Sequence, residues 1–167
     1  DRGVVIVDLD NPLKPQVVTT IPLKGAGHVA IQFRYAVICD SEGLKVVDIT
    51  DVKKPVMKAA VPLKDARDVY WARTYLYVAA GSEGLAIIDI KNPAAPQLRE
   101  KFTANGALND TRAIQIGAIN ASMFGLVADG RNGLRVLQLI SPENVPGYMG
   151  FSPPPNPKLI ASYLTQG

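Results

Sequence analysis

The segment Gly43-Leu44-Lys45-Val46-Val47-Asp48-Ile49 returns as Gly84-Leu85-Ala86-Ile87-Ile88-Asp89-Ile90, with echoes at Gly3-Val4-Val5-Ile6-Val7-Asp8-Leu9 and Gly133-Leu134-Arg135-Val136-Leu137-Gln138-Leu139. Self-similarity at a regular spacing makes a chain an array of like units, each of which buries its apolar faces only against its neighbours. The spacing here is about forty residues, the length of a unit of four short strands.

Within one unit, Tyr35 to Asp40 leads through Ser41-Glu42-Gly43 into Leu44 to Ile49. Two β-branched runs around a short Gly-bearing turn read as a hairpin. The pair returns as Tyr75 to Ala80 with Leu85 to Ile90, and as Phe124 to Asp129 with Leu134 to Leu139. After each hairpin stands a proline pair, Pro12 with Pro15 and Pro93 with Pro96, and a half-kept version in which Val52 precedes Pro55. Prolines cannot donate to a ladder, so they mark connections, and the runs that follow (16–23, 56–63 and 97–102) read as exposed outer strands. The short apolar runs 27–32, 67–72 and 111–116 then read as inner strands. No stretch holds helical spacing over ten or more residues. The expected fold is all-β, a β-propeller of four-stranded blades forming a partial ring of roughly three and a half blades.

The expected organisation is the outer part of blade 1 over 1–26, blade 2 over 27–66, blade 3 over 67–110 and blade 4 over 111–167. Two loop insertions, around 105–110 and 117–122, separate the fourth unit from its siblings, and blade 4 carries a Pro-rich connector, Ser152 to Pro157. Such an arc leaves raw edges and apolar faces, so the reading expects a longer polypeptide, or an assembly, to supply remaining blades.

An apolar content of 47% with 20% charged residues excludes disorder. The most apolar window, Ala113 to Ala128, is interrupted by Gln115 and Asn120 and is too short for a membrane-spanning helix, so no transmembrane segment is expected. A net charge of +3, with lysines interspersed among acids, gives no basic stripe for nucleic acid. Cys39 is the only cysteine and His28 the only histidine. Disulfides within the chain, zinc sites and covalently attached haem therefore lack ligands, and the chain is expected to carry no metal, cofactor or catalytic residues of its own. His28 would serve as a ligand only for an iron supplied by a neighbour.

The acids Asp8, Asp48 and Asp89 recur just before a turn, which favours capping of turn amides over a ring of ligands. Asp40 and Asp129 read the same way. His28, Arg67, Asp68 and Arg112 fall at the starts of successive inner strands, where they would gather near one mouth of the central channel. There they either contact a small ligand or tie neighbouring blades together. Asn109 and Asn120, both in Asn-x-Ser/Thr sequons, and the connector prolines Pro153, Pro154 and Pro155 are expected partner contacts.

Val5-Ile6-Val7-Asp8, Lys45-Val46-Val47-Asp48 and Ala86-Ile87-Ile88-Asp89, with the Pro-x-x-Pro element and Ala66-Arg67-Asp68-Val69, resemble the LVIVD repeat family of bacterial and archaeal propeller-type repeats. The resemblance covers nearly the whole chain and is weaker in the fourth unit, where Gln138 replaces the acid. It implies an exported or cell-surface protein (periplasmic, surface-bound or secreted) with interaction or scaffold roles and no shared catalytic residues. Similar regions are joined to multihaem c-type cytochromes, so any haem would sit on an attached or partner segment. The competing expectation is an enzyme or small-ligand binder with its site at the channel mouth near His28, Arg67 and Asp68, completed by further blades.

Overall fold

The hairpin glycines set the geometry of each unit. Gly84 has φ of 75°, a backbone region that costs a side-chain-bearing residue free energy and Gly little. A Cβ there would also run into the carbonyl oxygen of Phe102 on the next strand. Gly43 is constrained in the same two ways, with φ of 134° and the Val61 carbonyl in its path.

The structure, a computed structural model, describes residues 3–147 and 151–165. Fourteen strands form antiparallel sheets in chain order. β1 (Val4–Asp8) and β2 (Gln16–Ile21) make a two-stranded sheet. β3 (Val29–Gln32), β4 (Tyr35–Asp40), β5 (Gly43–Asp48) and β6 (Val56–Pro62) make the first complete blade, here blade 2. β7 (Asp68–Ala72), β8 (Tyr75–Ala79), β9 (Leu85–Asp89) and β10 (Gln97–Phe102) make blade 3. β11 (Ala113–Ile119), β12 (Ser122–Ala128), β13 (Leu134–Ile140) and β14 (Lys158–Tyr163) make blade 4. A single 3₁₀ turn, Gly130–Asn132, is the only helical element among the described residues. The first strands β3, β7 and β11 touch one another in sequence, so they lie innermost. The fold is all-β, a partial β-propeller with no closed barrel.

The link from third to fourth strand is built alike three times. Asp8, Asp48 and Asp89 each accept a bond from the amide two residues on, at 2.8, 3.0 and 2.9 Å. Asn11, Asp51 and Asn92 then accept from the amides of Leu13, Lys53 and Ala94. A backbone turn closes from Lys14, Lys54 and Ala95 to the carbonyls of Asn11, Asp51 and Asn92. Pro12, Val52 and Pro93 occupy the second turn position, where proline is favoured but not required, which is why Val52 is tolerated. Every outer strand also carries a register shift where it pairs with its neighbour, next to Ile6, Val46, Ile88 and Val136. A bulge adds local twist and re-aims an edge.

Alternation does the packing. Leu76, Val78 and Ala80 face blade 2, where they meet Val37, Cys39, Leu44 and Val46. Tyr75, Tyr77 and Ala79 face blade 4, where they meet Ile114, Met123, Val127 and Leu137. Because both faces of β8 are covered, all five of its residues are buried, and its sequence reads as a continuous apolar run. The half-blade packs on the other face of blade 2 through Val4 and Ile6 beside Ile38 and Val47.

One expected loop insertion is not a loop. Residues 117–122 continue β11 and β12 through a full ladder from Ala113 with Ala128 to Ile119 with Ser122, turning on Asn120 at φ of 52°. Lengthened strands, not an inserted loop, account for the extra residues. The other, around 105–110, is an irregular loop pinned by the fully buried Leu108. No helix among the described residues is long and apolar enough to cross a membrane.

Candidate functional site

Matching the units by strand register brings Gly27-His28-Val29, Arg67-Asp68-Val69 and Arg112-Ala113-Ile114 to the same place, the start of the innermost strand. Asp68 is the centre of one cluster. Its Oδ2 accepts the Ile114 amide of blade 4 at 2.8 Å, and its Oδ1 lies 2.7 Å from His28 Nδ1 of blade 2. Oδ1 is buried and makes no hydrogen bond of full geometry, so the His28 ring at 2.7 Å is its polar neighbour. Two lone pairs would repel at that distance, so the proton sits on Nδ1. The 3.4 Å approach of the Val69 amide to the same nitrogen is then a contact and not a hydrogen bond, because a protonated Nδ1 has no lone pair to accept it. One carboxylate thus joins three blades. His28 is half exposed, and no hydrogen bond to its Nε2 is found among the described residues.

The second cluster is a zigzag of charges. Arg67 holds Asp65, in the segment leading into β7, at 2.6 Å and Asp110, in the segment leading into β11, at 2.7 Å. Asp110 in turn accepts from Arg112 at 2.8 and 3.1 Å. The bonds from Asp65 and Asp110 raise the Arg67 guanidinium further above its ordinary value, and those from Arg112 and Arg67 lower the Asp110 carboxyl below the usual 3.8. Thr111 binds the blade 3 hairpin turn: its Oγ1 donates to the carbonyl of Gly84 at 2.7 Å, and its backbone exchanges both bonds with Gly81. Gly81 and Gly130 leave room for Asp65 and Asp110, whose carboxylates a Cβ would strike.

The four residues singled out from the sequence therefore lie at the same end of neighbouring inner strands but form two clusters, His28 with Asp68 and Arg67 with Arg112 through Asp110. The sequence reading misses Asp65, Asp110 and Thr111. The twice-repeated Asp-x-Arg of 65–67 and 110–112 is the available signal, hidden because blade 2 has Gly25 and Gly27 there.

The remaining candidates are scattered. Asn109 is exposed, donates to the Gly106 carbonyl at 3.0 Å and accepts from Asn132. Asn120 is exposed at its hairpin tip. Of Pro153, Pro154 and Pro155 only Pro154 is exposed; Pro153 and Pro155 are buried. The connector is held down by Arg73, which donates to the Phe151 carbonyl at 2.6 Å, and by Thr74 against Ser152 at 2.6 Å. Asp129 caps the 105–110 loop by accepting the Asn109 and Asp110 amides, and Asp40 accepts the Glu42 amide. Burial, with Asp68 and Asp40 nearby, pushes the Cys39 thiol up to about 12, so it is a core residue, not a nucleophile. Among the described residues no three His, Cys, Asp or Glu side chains stand close enough together to hold a metal ion.

Four-stranded antiparallel units, stacked by alternating faces and tied at the inner strands, define a propeller-type repeat protein. The LVIVD repeat model matches residues 25–62 and 64–104. The two central units are LVIVD repeats. No curated protein matches the chain.

Proposed function

We propose that the chain is a non-catalytic β-propeller interaction or scaffold module of an exported or cell-surface protein, working beside a multihaem cytochrome in an electron-transfer assembly. The observation that carries the scaffold reading is where the polar groups at the inner-strand ends are spent. Asp68 is committed to His28 and to the Ile114 amide, and Arg67 to Asp65 and Asp110. Bonds between blades fix their relative placement, which is what a binding platform needs. Large apolar side chains stand free on the rims, Leu13 at 92% and Phe33 at 91% exposure, and such residues suit partner contact. Export and the cytochrome neighbour come from the LVIVD resemblance, by analogy with similar regions fused to c-type cytochromes. The test is gentle isolation from the source, with a visible spectrum and peptide sequencing of what stays attached. A c-type haem band that travels with the chain is expected; a chain that purifies alone from both soluble and envelope fractions contradicts the reading.

One observation favours a ligand or enzyme site instead. Asp68 lies 2.7 Å from Nδ1 of a His28 whose side chain is 51% exposed, an arrangement in which the other imidazole nitrogen accepts a proton or binds a ligand. A proton NMR titration of His28 with small anions decides: a saturable shift abolished in Asp68→Asn supports this reading, and an unchanged His28 signal removes it.

A further inference from the structure

The interface between blades 3 and 4 is made by one kind of face meeting another. Tyr75, Tyr77, Leu85 and Ile87 on blade 3 are at most 1% exposed because blade 4 covers them. The same positions on blade 4 are Phe124, Leu126, Leu134 and Val136, on the face directed away from blade 3. These are apolar again, yet Leu126 is 43% exposed, and Ile160 of the adjacent outer strand 47%. Charge repeats the pattern. Arg67 spans from its own Asp65 to the acid of the following blade. Among the described residues Arg112 holds Asp110 alone, and its side chain is 60% exposed.

We propose that this face of blade 4 is an interface for a further complete blade of the same repeat type, and that Arg112 recognises an acidic residue in the segment leading into the innermost strand of that blade, at the place where Asp65 and Asp110 stand in theirs. The inference deepens the interaction-module reading and rests on it. A complete blade is required because the covering face at the blade 3 junction draws Ile114, Met123 and Val127 from first and second strands. The described β1–β2 sheet holds a third and a fourth strand, with Val7 and Leu9 at the places of Leu137 and Leu139, and does not itself supply the first- and second-strand residues such a covering face needs. Burying these four side chains against apolar partners supplies the driving force, and the Arg112 pair supplies register.

Cys39 is the only cysteine of these 167 residues and is fully buried, so Leu126→Cys in the full-length protein adds a thiol whose labelling is read by peptide mapping while Cys39 reports any opening of this region. Maleimide labelling of the thiol introduced at position 126 is expected to be at least about 100-fold slower than in urea, and about tenfold faster when Arg112→Glu or the milder Arg112→Gln is added, with Cys39 unlabelled in every sample without urea. A photo-crosslinker at position 126 should capture a peptide from a four-stranded repeat with an acid at the stated place. Labelling at the unfolded rate overturns the proposal, and so does protection that both Arg112 variants leave unchanged. A crosslink to a surface of another kind overturns the blade proposal while leaving the interaction-module reading standing.

Discussion

Blade 3 and blade 4 use the same positions for the same residue types, and one is sealed on both faces while the other is sealed on one. Tyr77 is fully buried and Leu126, its counterpart, is 43% exposed; Arg67 bridges two acids of successive blades and Arg112 holds one. The difference teaches that apolar alternation in this array records which face is built to be covered, whatever covers it. It also separates two costs. In blade 3 a substitution opens a cavity or orphans a bond; in blade 4 the same substitution touches water.

The largest expected effect lies in the turns. Gly84→Ala combines positive φ with collision against the Phe102 carbonyl and should lower unfolding free energy by about 3 kcal/mol or more in urea titration. Gly125→Ala, on the covered face of blade 4, meets only the movable methyls of Ile114 and Leu139 at 3.3 and 3.4 Å and should cost under about 1 kcal/mol. Next comes the paired core test. Ile87→Ala should cost about 2–5 kcal/mol, because its site cannot refill, and Val136→Ala, at the matching place on the open face, under about 1.5 kcal/mol in the 167-residue chain. Equal losses would mean that the two faces are equally covered.

The sequence made much of this fold legible for plain reasons. Asp8, Asp48 and Asp89 repeat because each caps a turn, and Gly43 and Gly84 because no other residue fits. The bulges opposite Ile6, Val46, Ile88 and Val136 leave no mark, since the bulged positions Val18, Lys58, Arg99 and Ile160 are two aliphatic and two basic residues with no common signature. The site is half legible. His28, Arg67, Asp68 and Arg112 stand out as charged or titratable residues at equivalent places, but Asp110 falls in a loop that reads as an insertion. Pro153 and Pro155 resemble a free connector because composition cannot show what a segment packs against.

Smaller effects sharpen the site. Asp68→Ala removes the acceptor of the Ile114 amide and the partner of His28, and should cost about 1–3 kcal/mol by thermal or chemical unfolding. Tyr77→Phe deletes a buried hydroxyl that has no partner, so it should be neutral or slightly stabilising, a rise in Tm where Tyr77→Ala gives a large fall. The acid limb is the mildest. Asp110 is lowered from 3.8, so its contribution is complete above the ordinary carboxylate range and is lost as pH falls through the depressed value. Arg67→Gln should therefore flatten the fall of Tm between neutral pH and about pH 2, and an unchanged slope would place the acid sensitivity elsewhere.

Hydrogen exchange at the Ile114 amide tests most directly the claim that the inner-strand polar groups are ties between blades. The account predicts protection comparable to the β8 amides in the unmodified protein, and a selective loss at Ile114 in Asp68→Ala while β8 keeps its own. Exchange at the rate of an exposed loop amide, or protection indifferent to Asp68, would contradict it and return Asp68 and His28 to the search for a chemical site.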